Sequence, residues 1–249
     1  MPPVADWITP DWPAPAGVRA LITTRNGGVG ATPYDTLNLG GHVGDDPCSV
    51  QANRALLGRR LGLPSQPLWL NQVHGRAVAR CGSERPGVTA DAVVADRPGA
   101  VCAVLTADCL PLLICDRGGR EVAAVHAGWR GLAAGVIEAA LARLSAPGPR
   151  LMAWLGPAIG PRAFEVGPEV RAAFMAQDAR CASAFAAHGG RWLADIYQLA
   201  RLLLRHHGVG YIGGGEYCTV SDGRRFFSYR RDGVTGRMAS LIWIDAAGE

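Results

Sequence analysis

The sequence predicts an α/β chain in which mixed β-sheets are flanked by helices within one domain. Two observations predict this. Short apolar runs of strand length mingle with stretches of helical period but do not alternate strictly with them, which argues against a regular βαβ wheel. The 33 glycines and 17 prolines are spread as turn punctuation, with no repeat and no linker-like tract across the 249 residues, so a single domain over 1–249 is expected.

In chain order, Val18 to Thr24 reads as a strand broken by Asn26-Gly27-Gly28. Pro47 to Leu61 reads as a helix with Val50, Leu56 and Leu57 inward, and Pro67 to Val73 as a short strand leading into His74. Val101 to Thr106 and Leu110 to Cys115 are apolar runs separated by Ala107-Asp108-Cys109, and Val122 to Val125 is a buried strand ending at His126. Leu132 to Leu144 has helical period and stops before Ala146-Pro147-Gly148. Leu151 to Leu155 is a strand, whereas Pro168 to Met175 and Leu193 to His206 are helices, the second with Asp195 in its first turn. The chain then returns to strands at Tyr211-Ile212, Phe226 to Tyr229 and Met238 to Ile244.

Composition narrows the function classes. A hydrophobic share of 49% with 18% charged residues is ordinary globular composition. All 25 basic residues are arginines, so no lysine Schiff base or lysine general base can operate. The arginines are scattered rather than striped, and the net charge of +4 gives no reason to expect nucleic acid. Seven cysteines (48, 81, 102, 109, 115, 181 and 218) lie far apart without a CxxC pair, which fits a reducing cytosol better than a disulfide framework. MPPVADWITPDWPAPAG lacks the apolar core of a signal peptide, and no apolar run reaches the roughly 18 residues of a membrane span, so a cytoplasmic protein off the membrane is expected. Gly213-Gly214-Gly215 lacks dinucleotide spacing, and GPAIGP lacks the Lys-Ser/Thr of a phosphate loop.

Three soft ligands fall at the edges of apolar runs: His74 in WLNQVHG, Cys109 in LTADCLPL and His126 in AAVHAGW. Zinc accepts imidazole nitrogen and thiolate sulfur at roughly 2.0 to 2.3 Å, and a catalytic zinc keeps three protein ligands. The three residues meet that demand in type and number. Spacing alone leaves two alternatives open: three separately satisfied side chains, or Cys109 as a nucleophile paired with His126 and oriented by Asp108 or Asn71. His42 lies in a glycine-rich turn, His206-His207 ends a helix and His188 reads as loop.

Four blocks then resemble a bacterial family described as laccase-like polyphenol oxidase, as peptidoglycan editing factor and as purine nucleoside phosphorylase. They are TTRNGGVG with YDTLNLG, WLNQVHG, TADCLPLL and AAVHAGWRGL; AWLGPAIGPRAFEVG, LADIYQLAR and FFSYRRDGVTGRMASLIW add to them, so that the likeness runs from about residue 10 to residue 244. The resemblance implies zinc, or copper, on His74, Cys109 and His126, and an α/β sandwich of mixed sheets akin to a group of cysteine hydrolases. It also implies phosphorolysis of adenosine, inosine and S-methyl-5'-thioadenosine, deamination of adenosine, oxidation of phenols, or editing of a peptidoglycan precursor. Purine nucleosides and phosphate are the partners it implies.

The residues can be matched to that chemistry. For deamination, a zinc ion lowers the pKa of water from about 15.7 toward roughly 7 for attack on C6 of adenine, and Asp108 or Glu165 is placed to shuttle the proton, although Asp108 could equally cap a turn. For phosphorolysis, Arg25, Arg130 and Arg230 sit in turns from which a guanidinium can grip phosphate; a surface ion pair is the plainer alternative for each. Trp129, Tyr229 and Phe227 can stack on a purine, with core packing preferred for Phe227. Oxidation by several coppers is harder to supply from six histidines, although a soft site would bind copper adventitiously.

Overall fold

The structure is a computed structural model that describes residues 6–245. Residues 1–5, which open the stretch read as lacking a signal peptide, and residues 246–249 lie outside the described residues. The first half holds β1 (Val18–Ile22), α1 (Pro47–Leu61), β2 (Val78–Arg80), β3 (Ala92–Ala95), β4 (Cys102–Thr106), β5 (Leu110–Asp116) and β6 (Val122–Ala127). Then follow α2 (Trp129–Ala134), α3 (Val136–Leu141), β7 (Leu151–Leu155), β8 (Glu165–Val166), α4 (Pro168–Met175), β9 (Phe185–His188) and β10 (Arg191–Ala194). The chain closes with α5 (Ile196–His206), β11 (Tyr211–Gly214), α6 (Tyr229–Asp232) and β12 (Met238–Ile244).

Three sheets result, ordered β11-β7-β5-β6-β3-β2, β1-β12-β4 and β8-β10-β9. The six-stranded sheet is mixed: β3, β6, β5 and β7 run antiparallel to their neighbours, while β2 and β11 join its edges in parallel. Period-two alternation sorts its side chains into two cores. Leu112 and Ile114 of β5, Val125 of β6 and Leu155 of β7 face Leu132, Ile137 and Leu199 of the helices. Leu113, Cys115, Ala124 and Trp154 face the other way, toward Val104 and Ile242 of the three-stranded sheet. That second sheet turns Ala103, Leu105 and Leu241 outward onto Leu57 of α1. The layers are therefore helix, sheet, sheet, helix, the mixed α/β architecture that the sequence predicts.

Because the central strands are covered on both faces, they read as unbroken apolar runs instead of alternating ones. Leu112 and Leu113, adjacent in β5 and both fully buried, belong to different cores. Each truncated to alanine should lower unfolding free energy by about 3 kcal/mol, read as urea midpoints at unchanged slope. A loss under about 1 kcal/mol at either would show that its face is not closed.

Several expectations shift in detail. Asp46 caps α1 by accepting from the Cys48 and Ser49 amides, and Gly62 closes it in the left-handed conformation; Val50 and Leu57 are buried but Leu56 only half so. The strand expected at Pro67 to Val73 is a loop held by isolated bridges at Leu68 and Asn71. The helix expected over Leu132 to Leu144 splits at Gly135, whose φ of 88° ends α2 and opens α3. Leu193 lies in β10, and Asp195 is the N-cap of α5, accepting from the Gln198 amide. Phe226 to Tyr229 is no strand: Phe226 and Phe227 plug the core, and Ser228 caps α6. The strands β2, β3, β8, β9 and β10, each of four residues or fewer, escape the sequence reading, although β11, equally short, is found at Tyr211-Ile212. No helix among the described residues is long and apolar enough to cross a membrane.

Candidate functional site

The three soft ligands meet at one end of the six-stranded sheet. His126 is the penultimate residue of β6, paired with Pro111 of β5, and Cys109 is the residue just before β5 begins. His74 comes from the loop that precedes β2, with a left-handed φ of 59°. Their donor atoms all lie within 4.8 Å of one another. Cys109 Sγ is 3.6 Å from His74 Nε2, and the two imidazole rings stand edge to face with centroids 4.8 Å apart. His126 is buried, Cys109 half-buried and His74 exposed, so the group opens to solvent on one side.

Gly128 makes this meeting possible. A Cβ there would fall 2.9 Å from Cys109 Sγ and 2.9 Å from His74 Cδ2. The glycine of AAVHAGW therefore clears the volume in which imidazole and thiol converge, and α2 starts at the next residue. Two nitrogens and one sulfur around such a space form a donor set that suits a borderline-soft ion.

A residue that the sequence reading missed holds the group together. Asp91, fully buried at the foot of β3, accepts the backbone N–H groups of Val73 (3.2 Å), His74 (2.9 Å) and Gly75 (2.7 Å). Its Oδ1 lies 2.8 Å from His126 Nδ1, and its backbone carbonyl accepts the His126 amide at 2.7 Å. One carboxylate thus fixes the loop that carries one imidazole and the ring orientation of the other, leaving His126 Nε2 for an ion. The available signal was the repeated Thr-Ala-Asp, at 89–91 and 106–108, each ahead of a strand.

The electrostatics follow from this packing. Burial opposes a thiolate at Cys109, yet the charges and hydrogen bonds of His126 and His74 outweigh it and bring the thiol down to about 6. Burial also opposes an imidazolium at His126, but the Cys109 charge and the hydrogen bond to Asp91 raise it to about 9. These opposite shifts make thiolate against imidazolium the favoured pair, and an ion bound between them would take the place of the imidazolium proton. A thiol whose pKa is depressed stays ionised above that value. Cys109 alkylation in chelator-stripped protein should thus slow as pH falls through about 6, whereas an unperturbed thiol slows near about 8.5. Quenched-flow alkylation with iodoacetamide, read by peptide mass, checks the midpoint.

A cavity of about 520 Å³ adjoins the three ligands. Of the predicted substrate residues, Trp129, Tyr229, Arg130 and Arg230 line it, and so does Asp108. Arg130 is exposed and lies over the Trp129 ring at 4.5 Å. Arg230 donates through Nη1 to the Glu165 carbonyl at 3.0 Å. Asp108, at φ 92°, accepts from the Thr219 hydroxyl and from the Arg230 amide, both at 2.6 Å, so its carboxylate ties α6 to the start of β5. Three other candidates stand outside the cavity lining. Arg25 is paired with Asp35 at 3.3 Å and lies over Phe227, itself fully buried. Glu165 pairs with Arg191 at 3.2 Å. The lining also includes His42, which the sequence places only in a glycine-rich turn, and Arg237, which the sequence does not single out. They come from loops far apart in sequence, joined by the bond from the Arg237 amide to Asn38 Oδ1 at 2.9 Å.

Comparison with known proteins places these residues among relatives. Residues 19–245 match a family model described as multi-copper polyphenol oxidoreductase laccase. A Pseudomonas aeruginosa protein named purine nucleoside phosphorylase is 58% identical over 240 residues, covering 96% of this chain and 98% of that protein. An Escherichia coli K12 protein of the same name is 56% identical over 238 residues, covering 95% and 98%. Among solved structures, a Neisseria meningitidis protein superposes with a TM-score of 0.93 at 52% identity, covering 97% of this chain and 100% of that one. The YlmD protein of Geobacillus stearothermophilus gives 0.91 at 29% identity, covering 99% and 98%.

Proposed function

The chain belongs to the family described as multi-copper polyphenol oxidoreductase laccase, and from that premise we propose that it is a metal-dependent purine nucleoside enzyme. In this reading it splits adenosine, inosine and S-methyl-5'-thioadenosine with phosphate into base and pentose 1-phosphate, and it deaminates adenosine to inosine. The observation that carries the reading is the convergence of His74, Cys109 and His126 beside a cavity walled by aromatic rings and guanidinium groups. The names of the relatives support the same chemistry.

Zinc is the ion we assign, with copper as its competitor at a soft site. His74, Cys109 and His126 would hold it, and when bound it would supply Lewis acidity to the hydrolytic reaction. The chain's own residues do the rest. Trp129 and Tyr229 offer aromatic faces to a purine. Arg130 and Arg230 bring positive charge to the cavity, where phosphate replaces the base at C1′ as the C1′–N9 bond breaks. Asp108 acts by holding α6, and with it Tyr229 and Arg230, against the cavity.

The test is product identification. Metal-loaded protein given adenosine and phosphate should form adenine and ribose 1-phosphate, and without phosphate it should form inosine and ammonia. Neither product rising above a Cys109→Ala control would sink the reading. Copper-based phenol oxidation fits less well, because among the described residues a single group of three metal-capable side chains gathers.

One observation favours a second reading. Cys109, His126 and Asp91 form a chain of thiol, imidazole and carboxylate that suits a cysteine hydrolase acting on an amide, such as a peptidoglycan precursor. Asp91, and not Asp108 or Asn71, is then the orienting group. That enzyme would keep full activity after chelation and form an acyl adduct on Cys109. His74, whose Nε2 lies 3.6 Å from Cys109 Sγ, is a second imidazole that such a triad does not need, which is why the metal reading ranks first.

A further inference from the structure

We propose that Arg237, with His42 beside it, is the anchor that takes the hydrogen phosphate dianion in the cavity. The assignment deepens the nucleoside phosphorylase reading above and rests on it.

Arg237 immediately precedes β12 and lines the cavity together with His42. Its Nη1 donates to the carbonyls of Thr235 and Gly236, each at 3.0 Å, which fixes the plane of the guanidinium. Among the described residues, Nε and Nη2 have no hydrogen-bond partner, and no carboxylate forms an ion pair with the group. The stem is built in as well. A Cβ on Gly40 would come within 2.8 Å of Arg237 Cγ, so the glycine of YDTLNLG leaves the space in which the side chain lies.

Charge makes this position unusual. Burial lowers the Arg237 pKa, the mark of a guanidinium partly withdrawn from water. The Cys109 and Asp108 charges act on it without forming an ion pair, and a withdrawn charge that lacks a direct counter-ion is costly and is retained where a ligand supplies the opposite charge. Arg25, by contrast, already has Asp35. Arg130 and Arg230 are exposed, so water screens them. Arg237 alone among the four combines partial burial with a free fork, and two parallel N–H groups match two oxygens of a tetrahedral anion. His42 is held neutral by burial and then by the charges of Arg237 and Arg54, and a neutral imidazole still contributes one N–H donor.

Calorimetric titration of metal-loaded protein with inorganic phosphate tests this directly. Wild type should saturate, and Arg237→Gln should bind phosphate about 10- to 100-fold more weakly. Arg237→Lys should fall between the two, since it keeps the charge and loses the fork. Adenosine binding in the absence of phosphate should stay within twofold in both variants. If Arg237→Gln fails to fold, Gly40→Ala, which crowds the same stem, should weaken phosphate binding in its place. The assignment is overturned if wild type does not saturate, if Arg237→Gln binds phosphate as wild type does, or if phosphate and adenosine binding are lost together. The two levels separate cleanly. Phosphate binding lost in Arg237→Gln while wild type yields no adenine would keep the anchor and end the phosphorylase reading. Adenine formed by Arg237→Gln at an unchanged KM for phosphate would do the reverse.

Discussion

Cys109→Ala should emerge from chelator-free purification with essentially no bound metal and with product formation down on the order of a thousandfold or more. The thiolate is the one anionic donor of the three, and two imidazoles alone leave an ion with half of a tetrahedral shell. The fold should survive, because the side chain is small and half-buried at a strand entrance and not packed inside either core. Metal stoichiometry by elemental analysis, thermal melting and the adenosine assay on the same sample separate these effects. Metal retained at wild-type stoichiometry in the variant would remove Cys109 from the ligand set. Metal lost with activity intact would separate the adenosine reaction from the ion and, because the variant also lacks the nucleophile of the triad, would end the hydrolase reading of that activity as well.

Asp91→Ala should damage both stability and metal binding. The substitution leaves three backbone N–H groups, at 73 to 75, without their acceptor and frees the His126 ring. Orphaned donors around a buried site of this kind destabilise by about 3 to 5 kcal/mol. Loss of an outer carboxylate from a ligating histidine lowers metal affinity by roughly 10- to 100-fold. Asp91→Asn should be intermediate in stability, since one oxygen remains while its amide faces groups that also donate. Urea midpoints give the first quantity and competition with a chelating indicator gives the second. A stable Asp91→Ala variant with unchanged affinity would show that the loop and the ring hold their places without it.

The layers of the fold were legible because β5, β6 and β7 are covered on both sides, and covered strands leave continuous apolar runs in sequence. The short strands and the break at Gly135 were not, since four residues carry no period and one glycine inside an apolar helix pattern is ambiguous. His74, Cys109 and His126 stood out because their chemistry is rare in apolar context, and the resemblance singled out the same three. Asp91, Arg237 and His42 did not. Their roles arise only when loops distant in sequence close on each other, as when Asn38 meets Arg237 across almost 200 positions. Arg25 illustrates the converse: its turn looked like a binding loop, but its guanidinium serves Asp35 and the carbonyl of Gly223.

The left-handed backbone at His74, locked under three amide bonds to a single side chain, also bears on how the protein gains its ion. Because hydrogen bonds within the chain hold the His74 loop and the His126 ring, ion capture would need little local ordering, and apoprotein and holoprotein should share one shape. Unlike a small zinc-nucleated finger, such a chain would exchange a bound ion in the native state. Which ion filled the site would then follow supply as much as affinity, and a copper-rich or zinc-rich preparation of one polypeptide would differ in colour and reactivity without differing in fold.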